Sequence, residues 1–240
     1  MRLMKRILSA AAVLALSASL LVGCSSGTAS SVPVSASSAA ESTVSSVEET
    51  ASSAVDENEA AAAQLLNDLT GSYQELWPVI LADEYKQTWL DDCTALVGEE
   101  NAEAAFEKLS SMVTSDVYGE DAVEAYANGG GAYFCGFTNS LATLTFDGET
   151  STISGTDKDG NVLFSHTYHY IGMEPVHGLY EFESDDADSG EFTYFFLAPD
   201  TSAETYHIEF RYGSDAEALS QYDAGEYAYW VASVISTDCD

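Results

Sequence analysis

The run "TYHIEFRYG", residues 205–213, sets a histidine and a glutamate two positions apart. Strand side chains alternate between faces, so His207, Glu209 and Arg211 share one face and Tyr206, Ile208 and Phe210 the other. An imidazole nitrogen and a carboxylate oxygen on one face are both accepted zinc ligands, so the pair reads as half of a divalent-metal site. The same alternation is what an antiparallel sheet shows wherever one face is packed and the other polar. Periodicity leaves both readings open. The remaining histidines, His166, His169 and His177, fall in the same strand-rich half of the chain. His166 and His169 lie three residues apart, on opposite faces of a regular strand, so at most one can join His207 in a common interior.

Other chemistry is thin. The chain has no G-x-S-x-G elbow, no phosphate-binding loop and no H-E-x-x-H pair. Carboxylate pairs carry no information about glycoside hydrolysis in a chain with 40 Asp and Glu. "DKDGN" and "DDADSGE" cluster acids but lack the distal Glu and flanking helices of an EF-hand, and Asp-Gly serves turn geometry between strands. With no nucleophile–base pair, the chain reads as a binding protein and not an enzyme.

Two textures must position these residues. "VDENEAAAAQLLNDLT" carries helix formers behind an acidic start. "LADEYKQTWLDDCTALVG" puts Tyr85, Trp89 and Leu96 near helical spacing, and "NAEAAFEKLSSMV" and "GEDAVEAYANGGG" read as short helices, the last stopped by glycines. Strand signals follow: a hairpin around Asp147-Gly148, a turn at Asp159-Gly160 into a long strand, then "HGLYEFES", "EFTYFFLA" and "TYHIEFRYG". Such regular short strands suggest a barrel or sandwich, and a closed meander would leave no unpaired edge. The tail reads as a short helix and an aromatic segment that plugs or flanks the barrel. Tyr73, Trp77, Phe146, Tyr180, Phe182, Phe196 and Phe210 are expected in the core.

The N-terminus pairs a basic "MRLMKR" with the apolar "ILSAAAVLALSASLLVG", a secretory leader too short for a stable membrane span. Its end, "LLVGC", resembles the lipobox of bacterial lipoproteins, in which Cys24 would be acylated. The expected organisation is a signal peptide (1–23), a disordered Ser/Ala-rich linker (24–60) and one domain (61–240). The protein would sit lipid-anchored on the extracytoplasmic face of the bacterial cell membrane. Arg2, Lys5 and Arg6 fall in the leader, leaving four basic residues against 40 acidic ones, a formal charge of −36. Such a field attracts cations and excludes nucleic acid as a partner. Besides Cys24 there are Cys93, Cys135 and Cys239, enough for at most one disulfide, with no zinc-knuckle or CxxC spacing.

"GSYQELWP" and "FFLAPDTSAETYHIEFRYGSD" together resemble the ZinT-like zinc-binding domain, also the C-terminal domain of AdcA-type zinc lipoproteins. Gly71, Tyr73, Gln74, Trp77 and Pro78 match an opening G-x-W-Q-S-V-Y-P-like segment. Leu197-Ala198-Pro199 matches an I-A-P element and Gly213-Ser214-Asp215 a glycine–acid step. The resemblance implies a mainly β, single calycin or lipocalin-like antiparallel barrel with flanking short helices. It also implies zinc as ligand, zinc acquisition as the role, and a metal importer as a partner. His207 falls on the first histidine of the family's H-x-H pair, Glu209 replaces the second, and Phe195 stands where an earlier ligand histidine is expected. His207 and Glu209 would then point into the barrel, with His169 or His177 completing the set. The alternative is a calycin with a decayed metal site, serving as a small-ligand binder or a surface interaction module.

Overall fold

Alternating apolar residues along the strand-rich half close on themselves. The computed structural model describes residues 57–200 and 207–238; the leader, Cys24 and the Ser/Ala-rich segment lie outside the described residues. Residues Glu59–Asp240 form one compact unit. Helix α1 spans residues 57–68, and β1 (Gly71–Glu75) runs directly into α2 (Leu76–Ile80). Helices α3 (Lys86–Val97) and α4 (Glu99–Val113) pack on each other across Gly98, whose φ of 85° reverses the chain where a side chain would be strained. Helix α5 is Glu120–Ala127. Strands β2 (Thr143–Asp147), β3 (Thr152–Thr156), β4 (Val162–Met173), β5 (Tyr180–Ser184), β6 (Tyr194–Leu197) and β7 (His207–Gly213) follow. Helix α6 (Ala216–Leu219) and β8 (Ala232–Ser236) complete the chain order.

The eight strands form a closed antiparallel barrel in sequence order, with β8 pairing back onto β1. The calycin-type barrel implied by the resemblance is therefore the architecture, with short helices before β2 and after β7. Its lumen can be traced through the register. Tyr73 opposes Leu144, Phe146 opposes Ile153, and Ile153 opposes His166. Tyr170 opposes Phe182, Phe182 opposes Phe195, and Phe195 opposes Tyr212. Directly opposed residues share a face. Rings from non-adjacent strands meet on that face, Phe146 with Phe210 at 6.3 Å and Tyr168 with Phe195 at 5.3 Å between centroids, so it is the lumen. The outer face of β4, by contrast, exposes Leu163, Ser165, Thr167, His169 and Ile171. Each lumen phenylalanine fully buried contributes about 1.5–3 kcal/mol, so the packed rings are the main source of the barrel's stability.

The sequence pattern marks six strands, and eight are present among the described residues. β8, "ASVIS", is buried at Ala232 to Ile235 on both faces, so no period of two marks it, and β1 is five residues beginning in glycine. These two unread strands make the closing pair. Of the expected core, Tyr73, Trp77, Phe146, Phe182, Phe196 and Phe210 are buried, but Tyr180 is only partly so. Trp89 is buried against Trp77 and Phe106, whereas Leu96 is 72% exposed, because the α3–α4 pair uses a narrower stripe than the sequence spacing suggested. At the Asp147-Gly148 hairpin the left-handed residue is Ser151, with φ 53°. Among the described residues no helix is long and apolar enough to cross a membrane.

Candidate metal site on strand β7

Ile208, Phe210 and Tyr212 occupy the lumen, so the strand period turns His207, Glu209 and Arg211 to the outer wall. This corrects the expectation that the pair points into the barrel. The aromatic partners that the lumen requires are the even-numbered residues of β7, and their neighbours have no choice but the other face. The outer wall here is nevertheless not open surface. Helix α2 packs on β8 and α6 on β7, and the side chains of His207 and Glu209 are only 11% and 22% exposed.

His207 Nε2 lies 3.7 Å from Glu209 Oε1, and Ser233 Oγ lies 3.4 Å from the same oxygen. Ser233 is the cross-strand partner of Glu209 on β8. Close by sits Cys135. Its thiol is pushed far up by burial first and by the Glu209 carboxylate second, so it stays protonated at neutral pH. Burial likewise raises the Tyr133 hydroxyl, with Cys135 and Glu209 adding to the shift.

Arg211, third residue of the same face, is wholly buried. Its Nη1 donates to the Leu219 carbonyl and its Nη2 to the Tyr227 carbonyl, while the guanidinium carbon stands 4.2 Å above the Tyr222 ring. Burial lowers its pKa, and Tyr222 and Tyr133 act the other way. Arg211 thus pins the α6 segment to the wall beside the pair. The sequence reading did not single out Arg211, Cys135 or Tyr133. The available signal was Arg211 itself, one of only four cations downstream of the leader and in phase with His207 and Glu209.

The other candidates do not gather with the pair. His169, on the outer face of β4, pairs with Asp185 at 2.7 Å and is half exposed. His177, in the loop after β4, lies 3.4 Å from the buried Glu174 and meets the Tyr222 ring at 3.7 Å between centroids, tilted by 35°. His166 faces the lumen side and pairs with Asp186 at 2.7 Å. The expected third ligand is therefore not supplied by His169 or His177: each is held by its own local carboxylate. Among the described residues, no three His, Cys, Asp or Glu side chains gather to hold a metal ion. Phe195 is fully buried among Phe164, Tyr168, Phe210 and Tyr212 in the lumen. The position expected to hold a ligand histidine thus lies across the sheet from His207 and Glu209. Cys93 and Cys135 are free and buried, and Cys239 lies outside the described residues.

The donor set fits a divalent ion only in part. One neutral imidazole and one carboxylate at 3.7 Å can share an ion after a small side-chain rotation, since each bond is about 2.0–2.2 Å long. The remaining positions would fall to water, which makes an open, weak site and not a closed structural one.

No family model matches this chain, and no curated protein matches it. Among solved structures it is similar to Zn(II)-bound AdcA from Streptococcus pneumoniae, with a TM-score of 0.46 and 16% identity over 73% of this chain and 33% of that one. It is similar to the same degree, 0.46 and 16% over 73% of this chain, to the Zn(II)-bound ZinT-like domain of Streptococcus pneumoniae AdcA, of which it covers 84%. The chain spans about a third of the length of the whole AdcA protein.

Proposed function

We propose that this protein is an exported, lipid-anchored binder of divalent metal, zinc foremost, with His207 and Glu209 as its protein ligands and zinc acquisition as its role. The observation that carries the reading is the 3.7 Å approach of His207 Nε2 to Glu209 Oε1, with their side chains only 11% and 22% exposed. A strongly acidic chain, with a formal charge of −36 over everything downstream of the leader, raises the local concentration of cations around such a site. "LLVGC" and the Ser-rich stretch after it support anchoring through Cys24, which would place the site outside the membrane, within reach of a metal importer.

Calorimetric titration of chelator-free protein with zinc at neutral pH tests it. The expected result is weak one-to-one binding that His207→Ala abolishes and Glu209→Gln weakens. Binding should also fade below about pH 6, because the imidazole must be neutral to bind and protons compete for it. Cys24→Ala should move the protein out of the membrane fraction. The second reading is a calycin with a decayed metal site, acting as an interaction module. The lack of a third gathered ligand among the described residues favours it. Absence of zinc-dependent heat from the wild type would decide for that reading.

A further inference from the structure

Far from the histidines in sequence, two tyrosines meet face to face. The rings of Tyr126 on α5 and Tyr229, just before β8, are 3.8 Å apart between centroids and 8° from parallel. Aromatic pairs ordinarily prefer offset or edge-on arrangements with centroids roughly 4.5–7 Å apart, so this stack is held closer than ring electrostatics alone would set it. The backbone supplies the force. Tyr229 has φ 55°, left-handed and unfavourable for a bulky residue. Both its main-chain groups are fastened: its N–H donates to the Tyr222 carbonyl at 2.7 Å and its carbonyl accepts from the Phe134 N–H at 2.9 Å. The ring therefore cannot swing away by relaxing the chain. By comparison, the rings of Tyr170 and Tyr180 are 6.1 Å apart and tilted by 58°.

We propose that Tyr126 and Tyr229 are a site of oxidative cross-linking, joined as dityrosine by a peroxide-driven one-electron oxidant. Both residues are partly exposed, so an oxidant can reach them. Burial and the neighbouring Tyr229 raise the Tyr126 hydroxyl, which is therefore neutral at physiological pH and loses its proton together with its electron. One electron and one proton leave each phenol. The two phenoxyl rings join by a single carbon–carbon bond between positions ortho to oxygen, and the hydrogens on those carbons move to the oxygens as both rings regain aromaticity. In sum, two hydrogens leave the protein and one hydrogen peroxide becomes two waters. The bond would tie α5 to the segment leading into β8, closing a long loop as a disulfide does. Cys93 and Cys135, both free and buried, make no such tie between them.

The test treats dilute full-length protein with peroxidase and hydrogen peroxide. The expected product is a monomer lighter by two hydrogens, with dityrosine fluorescence and a joined peptide pair containing Tyr126 and Tyr229. Tyr126→Phe and Tyr229→Phe keep a stackable ring, and each should lose that monomeric product with an unchanged circular-dichroism spectrum. If the wild type gives only intermolecular dimers, or if the monomeric product survives in either variant, the proposal is overturned.

Discussion

At the scale of single residues, what separates the lumen from the outer wall on β7 is one step of the chain. Phe210 and Tyr212 belong to a continuous ring cluster with Phe195, while His207, Glu209 and Arg211 sit behind it. Phe195 is therefore a core residue whatever its counterpart does elsewhere, and restoring a histidine there should not restore a ligand. Phe195→His is expected to leave zinc affinity where the wild type has it, because the new imidazole would lie across the sheet from Glu209. It should also lower stability by about 3–5 kcal/mol, the usual cost of losing a buried phenylalanine, with an unpaired polar group adding to it. Zinc calorimetry beside urea denaturation reads both. A rise in zinc affinity would mean that the lumen and the site communicate.

Turns show the same dependence on context at the scale of elements. Two Asp-Gly steps signalled hairpins, and both lie at strand ends, but their glycines serve different needs. Gly160 has φ 81° and nothing within 4 Å of where a Cβ would stand. Gly148 is not left-handed; a Cβ there would meet Asn67 Cα at 2.4 Å and Leu66 O at 2.6 Å, because the β2–β3 turn is pressed onto α1. Backbone cannot move aside as a side-chain tip can. Gly148→Ala should therefore cost about 1–3 kcal/mol by overpacking, whereas Gly160→Ala should cost about 1 kcal/mol, through backbone conformation alone. Chemical denaturation of both variants checks the order, and equal costs would show that α1 is not tightly seated on the turn.

For the molecule as a whole, the aromatic content that fills the barrel also fixes how it fails in alkali. Burial pushes up the hydroxyls of Tyr133, Tyr168 and Tyr212, and raises that of Tyr222 to about 12, in each case from an ordinary value of 10.0. The unfolded chain releases these protons first. Stability is thus fully present below pH 10.0, the ordinary tyrosine value, and is lost as the pH rises toward the folded-state values. The thermal midpoint should fall steeply above that pH together with the rise in tyrosinate absorbance, the two curves coinciding. Ionisation of most phenols before any loss of structure would contradict the burial on which this rests.

Much of this was determined by the linear chain alone, wherever the physics is local. Helices α4 and α5, the long β4 and the alternation of β7 follow from side-chain periodicity over a few residues. That same alternation places His207 with Glu209 and sends His166 and His169 to opposite faces. Only the tertiary structure decided which face of β7 is the lumen, because a period of two is symmetric until Phe146 from across the barrel and Phe195 from the neighbouring strand claim one side. It alone revealed β8, whose burial on both faces leaves no alternation to read, and thereby the closure onto β1. It alone brought Cys135 and Tyr133 near Glu209 and Tyr229 against Tyr126. Those encounters join residues far apart in sequence, and such contacts arise from packing the whole barrel with its covering segments, which no local pattern encodes.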